Sequence, residues 1–301
     1  MSMDDPVIEL SHVSKRFGRT PVLRDLSLRV PAGKTYAFLG RNGAGKTTSI
    51  RMMLGLLRPD SGTVRVLGKD PRYDPMAVRR AVGYLAEDQQ MWGWMKIGEI
   101  LRFMAPFYPT WDMRYAEELL DKWQLAAGTK IKHLSKGQNV RLGLLLALAH
   151  RPRVVILDDP ALGLDPIMRK DFMRDVVTHL QGNNVSVFFS SHLLYEVEPV
   201  ADMVGILHNG SLVVESETEA LRESVKRLIV PTEHSDRAKD LPEVLDVRRE
   251  AHRVAVTVRD AKLACTQLAE AGISPEVVDL NLDEIFEAYV VGKTEPAPVT
   301  R

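Results

Sequence analysis

The stretch Gly40-Arg41-Asn42-Gly43-Ala44-Gly45-Lys46-Thr47-Thr48 constrains what this chain can fold into more than any other. It fits the pattern G-x-x-x-x-G-K-[ST] without a mismatch, and each part has a task that polyphosphate chemistry requires. Glycines let the backbone turn tightly and aim successive N–H groups inward, making a concave nest for anionic oxygens. Lys46 adds a point charge for the β- and γ-phosphates, and the Thr47 hydroxyl is a hard oxygen ligand of the kind Mg²⁺ takes. The flanks agree. Tyr36-Ala37-Phe38-Leu39 predicts a buried strand before the loop, and Ile50, Met53, Leu54 and Leu57 recur at helical spacing after it. A helix start placed there adds its partial positive charge to the nest. In this context the alternative, a glycine turn that binds nothing, is set aside.

At 301 residues and 45% hydrophobic content, the chain is long enough for a large domain plus a small one with a packed core. Basic and acidic residues both number 40, so there is no global electrostatic case for nucleic acid or an anionic lipid surface, although local patches stay open. Cys265 is the only cysteine, which rules out an intrachain disulfide and fits a reducing compartment. The longest apolar run, Leu142 to Ala149, is too short to span a bilayer. A soluble protein is therefore expected, with any membrane role exercised through a partner.

Strands are predicted at Val7 to Val13, Val22 to Val30, Val64 to Val66 and Gly83 to Ala86, the last delivering Glu87-Asp88-Gln89-Gln90 to a loop. Phe17, beside a glycine turn, is either core or a platform for a nucleobase. All four tryptophans, Trp92, Trp94, Trp111 and Trp123, fall in one region with Phe103, Phe107 and Tyr108. Trp123 shares helical spacing with Ala116, Leu119 and Leu120. Trp92 and Trp94 flank a glycine next to a polar loop, where they either fill a helical insertion or form an interface.

Leu134-Ser135-Lys136-Gly137-Gln138 leads into Val140 to His150, apolar nearly all round and so predicted to be a buried helix. Ser135 and Gly137 at its start make a second anion-binding helix N-terminus. Val154 to Leu157 predicts a central strand ending in Asp158-Asp159, the place where open α/β sheets bind ligands. The first acid suits Mg²⁺ and the second a water. Asp165-Pro166 starts a helix with Phe172, Met173, Val176 and Leu180 on one face. Val185 to Phe189 is a strand ending in Ser190-Ser191-His192, and Asn209-Gly210 joins two further strands as a hairpin. After about Glu223 the pattern changes to a small α+β unit, and Gly292 to Arg301 reads as a frayed tail.

Together these motifs resemble the nucleotide-binding subunits of ATP-binding-cassette transporters. The resemblance implies an α/β P-loop cassette over residues 6–222, with a mixed central sheet, an antiparallel β subdomain and a helical signature subdomain. A small accessory α+β domain over 223–291 and a flexible tail over 292–301 would follow. It implies ATP and Mg²⁺ as cofactors, with Gly40, Arg41, Asn42, Gly43, Ala44, Gly45, Lys46, Thr47 and Thr48 cradling phosphates and Phe17 stacking on adenine. Ser135, Gly137 and Gln138 would hold the nucleotide of an opposite subunit. Thr47, Asp158 and Glu87 would hold the metal, and Asp159, His192, Lys46 and Glu87 would serve hydrolysis.

Three positions depart from the family pattern: Lys136 replaces a glycine, Glu87 a glutamine, and Asp159 the catalytic glutamate. The shorter acid implies slow but real hydrolysis. Phe107 to Asp112 and Leu282 to Phe286 resemble bacterial export ATPases of the ABC-2 type. The partners implied are separate transmembrane permease subunits, with Glu87 and the Trp92/Trp94 loop facing them, and a second cassette in a homo- or heterodimer. No nucleic acid is expected. The implied location is the cytoplasmic face of the inner membrane, reached through the permease. Two other readings remain: a soluble cassette acting on ribosomes or DNA, and an ATP-held clamp that barely hydrolyses.

Overall fold

The structure, a computed structural model, describes residues 5–165, 168–169, 172–174, 176, 180, 185–192, 198–250 and 252–292. The chain divides into two compact units, one of residues 1–192 with 199–215, the other of 193–198 with 216–301. The first contains strands β1 (Ile8–Phe17), β2 (Thr20–Val30), β3 (Thr35–Leu39), β4 (Ser61–Val66), β5 (Val82–Leu85), β6 (Val154–Asp158), β7 (Ser186–Ser191), β8 (Met203–His208) and all but the last two residues of β9 (Ser211–Glu217). Its helices are α1 (Lys46–Met53), α2 (Pro75–Ala81), α3 (Ile97–Met104), α4 (Met113–Lys122) and α5 (Lys136–Leu148), besides helical turns among residues 168–180.

Two sheets share the core of this unit. β2, β1 and β4 form an antiparallel sheet in that order. The second sheet runs β5-β6-β7-β3-β8-β9, and its first four neighbouring pairs are parallel. β3, β6 and β7 are buried along their whole length, which is what a parallel sheet covered on both faces demands of its side chains. Phe188 of β7 lies against Tyr36 and Phe38 of β3, ring centroids 5.5 and 5.4 Å apart, and Ile50 and Met53 of α1 belong to the same cluster. The strands run parallel, so the residues after β3, β6 and β7 come out along one edge: Leu39 is paired with Ser191, and Asp158 with Ser190. That edge carries the site.

Several expectations are met. Asn209 and Gly210 take φ of 48° and 84°, the left-handed pair that a two-residue hairpin turn needs. Ala116, Leu119 and Leu120 are the buried face of α4, and Trp123 caps its C-terminus at 4% exposure. Phe172, Met173, Val176 and Leu180 are all buried, and Asp165 Oδ1 accepts the Met168 N–H at 3.0 Å as an N-cap should. Pro166 lies outside the described residues. α2 was not foreseen because it buries a single side chain, Val78, and so leaves no apolar period to read.

Unit two holds β10 (Lys226–Pro231), β11 (Val244–Glu250), β12 (Arg253–Val258) and β13 (Glu276–Asp279), an antiparallel sheet in the order β11-β12-β10-β13. With it go helices α6 (Thr218–Ser224), α7 (Ser235–Lys239), α8 (Ala261–Glu270) and α9 (Leu282–Val290). Leu228, Val254, Val256, Ala264 and Leu268 are in its core. The tail expected after Gly292 lies outside the described residues.

Candidate functional site

The loop after β3 is shaped by glycines that no other residue could replace. Gly45 caps α1 at φ 114°, and a Cβ there would stand 2.5 Å from Leu23 Cδ2. At Gly40 a Cβ would stand 2.8 Å from the Leu207 carbonyl oxygen. Steric room and left-handed backbone are both required, so the motif's glycines follow from packing as well as from phosphate chemistry. Lys46 opens α1, is 7% exposed, and donates from Nζ to the Gly40 carbonyl at 2.7 Å. Burial lowers its pKa, while Asp159, Asp158 and Glu87 pull it back up.

A cavity of about 390 Å³ is lined by Asn42, Gly43, Gly45, Lys46, Thr47, Thr48, Glu87, Asp159 and Val22. The end of β6 supplies the acids. Asp158 is 1% exposed; its Oδ1 accepts from Ser190 Oγ at 2.7 Å and from Thr47 Oγ1 at 3.3 Å. Burial raises its pKa most, the hydroxyls oppose this, and Asp159 adds to it. Glu87 is raised first by burial, then by Asp158 and Asp159. A hydroxyl and a buried carboxyl are a hard-oxygen donor set suited to Mg²⁺, whose charge would favour the ionised carboxylate that burial disfavours, and which takes few protein ligands and keeps water and phosphate oxygens. No cluster of three or more His, Cys, Asp or Glu metal ligands exists among the described residues.

Asp159 turns the chain out of the strand at φ 45°, a left-handed conformation that Asn and Asp tolerate better than longer side chains do. Its N–H donates to Ser190 Oγ at 3.0 Å, and Oδ2 lies 2.7 Å from His192 Nδ1. Ser190 thus ties both aspartates in place. Sequence reasoning noted Ser190 only as a strand end, and the signal it passed over was a hydroxyl paired in register with Asp158.

Lys46, Thr47, Glu87, Asp158, Asp159 and His192 are therefore brought together. Ser135, Gly137 and Gln138 are not among the residues lining the cavity. Ser135 caps α5, its Oγ accepting the Gln138 N–H at 3.2 Å while Gln138 Oε1 accepts the Ser135 N–H at 3.0 Å. A Cβ on Gly137 would meet the terminal methyl of Met168, which would have to shift to admit a larger residue at the start of α5. Phe17 ends β1 at 52% exposure and is not core. Nor does it line the phosphate cavity.

A larger groove of about 620 Å³ lies elsewhere on this unit, with residues of β5, the Asp88 to Met91 loop, Met104, Tyr108 and His150 in its walls. His150 stacks on Tyr108 at 4.2 Å, and burial pushes its pKa down to about 4, so its ring is neutral.

The raised carboxylates predict a stability effect. A group that binds its proton more tightly when folded contributes stability below its unfolded pKa and loses it as pH rises through the raised folded value. Asp158→Asn removes this penalty and keeps the acceptor for Ser190. It is expected to stabilise the nucleotide-free protein by roughly 1 kcal/mol, about 3 °C in Tm, and to flatten the loss of stability above ordinary carboxylate pH. Thermal melts of both proteins from pH 4 to 8 check this, and a lower Tm for the variant would count against it.

The fold and the site define a P-loop nucleotide-binding cassette. The ABC transporter family profile matches residues 23–162. The bacitracin transport ATP-binding protein BcrA of Bacillus licheniformis is 34% identical over 225 residues, 74% of each chain. The ABC transporter ATP-binding protein YtrB of Bacillus subtilis is 28% identical over 294 residues, 95% of this chain and 99% of that protein. A solved ATP-binding subunit of an ABC transporter matches with a TM-score of 0.66 at 27% identity, covering 72% of this chain and 92% of the other. A nucleotide-free ATP-binding cassette, TM-score 0.62 at 23% identity over 70% and 91%, has the same fold. The chain belongs to the ATP-binding subunits of ABC transporters, proteins that bind and hydrolyse ATP. No helix among the described residues is long and apolar enough to cross a membrane.

Proposed function

We propose that the chain is the motor of an exporter, in which ATP closes two cassettes on each other and hydrolysis lets them part. Lys46 and the loop N–H groups bind the phosphates, and Phe17 stacks on adenine. Thr47, Asp158 and Glu87 hold Mg²⁺, which neutralises phosphate charge. Asp159 accepts the proton of the attacking water, and His192 positions Asp159 and the γ-phosphate. One observation carries the dimer: the cavity is lined by the phosphate loop, Glu87 and Asp159, while the second anion-binding helix start, at Ser135, is absent from its lining. A second chain, identical or related, supplies that helix start, and ATP joins the two.

A permease segment occupies the 620 Å³ groove, because the loop from Asp88 to Met91 in its wall follows directly on Glu87 and links the occupant to the site. This holds the chain at the cytoplasmic face of the membrane. A role in transport is supported by similarity to proteins named for bacitracin transport. Residues 223–291 form an accessory domain of the motor.

Mixing two inactive variants tests the arrangement. Lys46→Ala breaks the phosphate loop and Ser135→Arg the helix start, so each homodimer has two broken sites. In a mixture, each heterodimer regains one intact site, and turnover is expected to recover to about a quarter of wild type. If both groups served one nucleotide within a single chain, mixing would restore nothing.

A further inference from the structure

Lys136 is the departure from the family pattern that neither phosphate binding nor the metal site uses. It opens α5, where a cation faces the positive end of the helix and is disfavoured. Among the described residues no ion pair engages it. Its side chain nevertheless has a definite place. A Cβ on Gly163 would collide with Lys136 Nζ and stand 3.0 Å from Lys136 Cε, so the ammonium fills the space that a side chain at 163 would need. Gly137, the next residue of α5, faces the same segment: a Cβ there would stand 3.9 Å from Leu164 Cδ2, beside the Met168 methyl. The start of α5 therefore rests, at two consecutive positions, on the loop that follows Asp159.

That loop is closed on itself. Leu162 N–H donates to the Asp159 carbonyl at 3.0 Å and Leu164 N–H to the Ala161 carbonyl at 3.2 Å, while Arg169 Nη2 donates to the Leu164 carbonyl at 3.0 Å. Ala161 and Leu164 are buried. Two interlocked turns anchored in this way move together, so a shift at Gly163 is handed back to Asp159. A cavity of about 210 Å³ adjoins the loop, with Pro160 and Leu162 in its walls. Lys136 is the one cation among the described lining residues, in company with Glu87 and Asp88. The two acids offset the repulsion at the helix end and draw the ammonium toward the loop.

We propose that Lys136 is a positioning residue for hydrolysis: its side chain braces the loop at Gly163 within the same chain, and so fixes where the Asp159 carboxylate meets the attacking water. This role rests on Asp159 being the base. It gives lysine at 136 and glycine at 163 one shared reason, since a change at either removes the same contact. The effect belongs to the chemical step, because Lys136 does not line the phosphate cavity.

The test is a set of double-substitution cycles on the full chain, read as kcat and KM for ATP beside thermal melts. Lys136→Ala is expected to lower kcat about tenfold, the scale of a displacement well under 1 Å, with KM unchanged. Its melting should not fall, because alanine suits a helix and the cation at the positive end is gone. Gly163→Ala puts a methyl where Nζ lies and should also lower kcat. The double variant should then be no slower than Gly163→Ala alone, the lysine being already displaced. In the Asp159→Asn background, Lys136→Ala should cost nothing further. Three results overturn the proposal: an unchanged kcat in Lys136→Ala, a raised KM at constant kcat, which would give the lysine to a phosphate, or losses that simply multiply in either cycle. An Asp159→Asn protein with the wild-type rate would remove the base itself, and the positioning role with it.

Discussion

Asp159→Asn is expected to lower ATP turnover about 10²- to 10³-fold while ATP affinity stays equal or becomes slightly tighter. Asparagine has the size and shape of the residue it replaces, and its oxygen can still accept from His192, which lies 2.7 Å from Asp159. It is as well suited as aspartate to the backbone at φ 45°. What disappears is the proton acceptor at the wall of the phosphate cavity. One negative charge beside Asp158 and Glu87 disappears too, which relieves the repulsion that raises both. With Mg²⁺ and ATP the variant should accumulate as a closed dimer on size exclusion. Phosphate release measured beside a binding titration separates the two effects. A rate unchanged by the substitution would falsify the assignment of Asp159 as the base, and a wild-type rate already at the variant's level would favour an ATP-held clamp.

Lys46→Ala should weaken ATP binding by at least about 10²-fold, roughly 2.7 kcal/mol. Lys46 is the one cation among the residues lining the cavity, against two acids, Glu87 and Asp159. Without it the cavity repels a polyphosphate instead of attracting it. The fold should survive, because Lys46 Nζ hydrogen-bonds only to loop carbonyls, and Asp158, which loses a neighbouring cation, keeps its hydrogen bonds from Ser190 and Thr47. Calorimetric titration with ATP, alongside circular dichroism of the variant, checks both halves. Wild-type affinity in a folded variant would remove Lys46 from the site.

The phosphate loop, the strand ends and the order of elements were legible because each is written locally. Leu39, Asp158 and Ser191 end apolar runs, and parallel strands bring such ends to one edge. Short helices were not legible: α3 begins beside a glycine, and α2 buries only Val78. The exposure of Trp92 and Trp94 depends on pairing with residues more than thirty positions away, which no local period records. Likewise Phe17 could be core or platform until the end of β1 was seen to stand in solvent. Ser190 was hidden for a different reason, since its role exists only through strand register.

The left-handed backbone at Asp159 changes what that residue's length means. Reach toward a bound substrate is a joint property of side chain and backbone, and here the backbone departs from the strand direction at the acid itself. An aspartate at φ 45° and a glutamate on an extended backbone can bring a carboxylate to the same place from different starting points. Side-chain length alone therefore does not set the reach of Asp159. Exchanging Asp159 for glutamate alone would lengthen the side chain while setting a less tolerant residue on the same strained torsion.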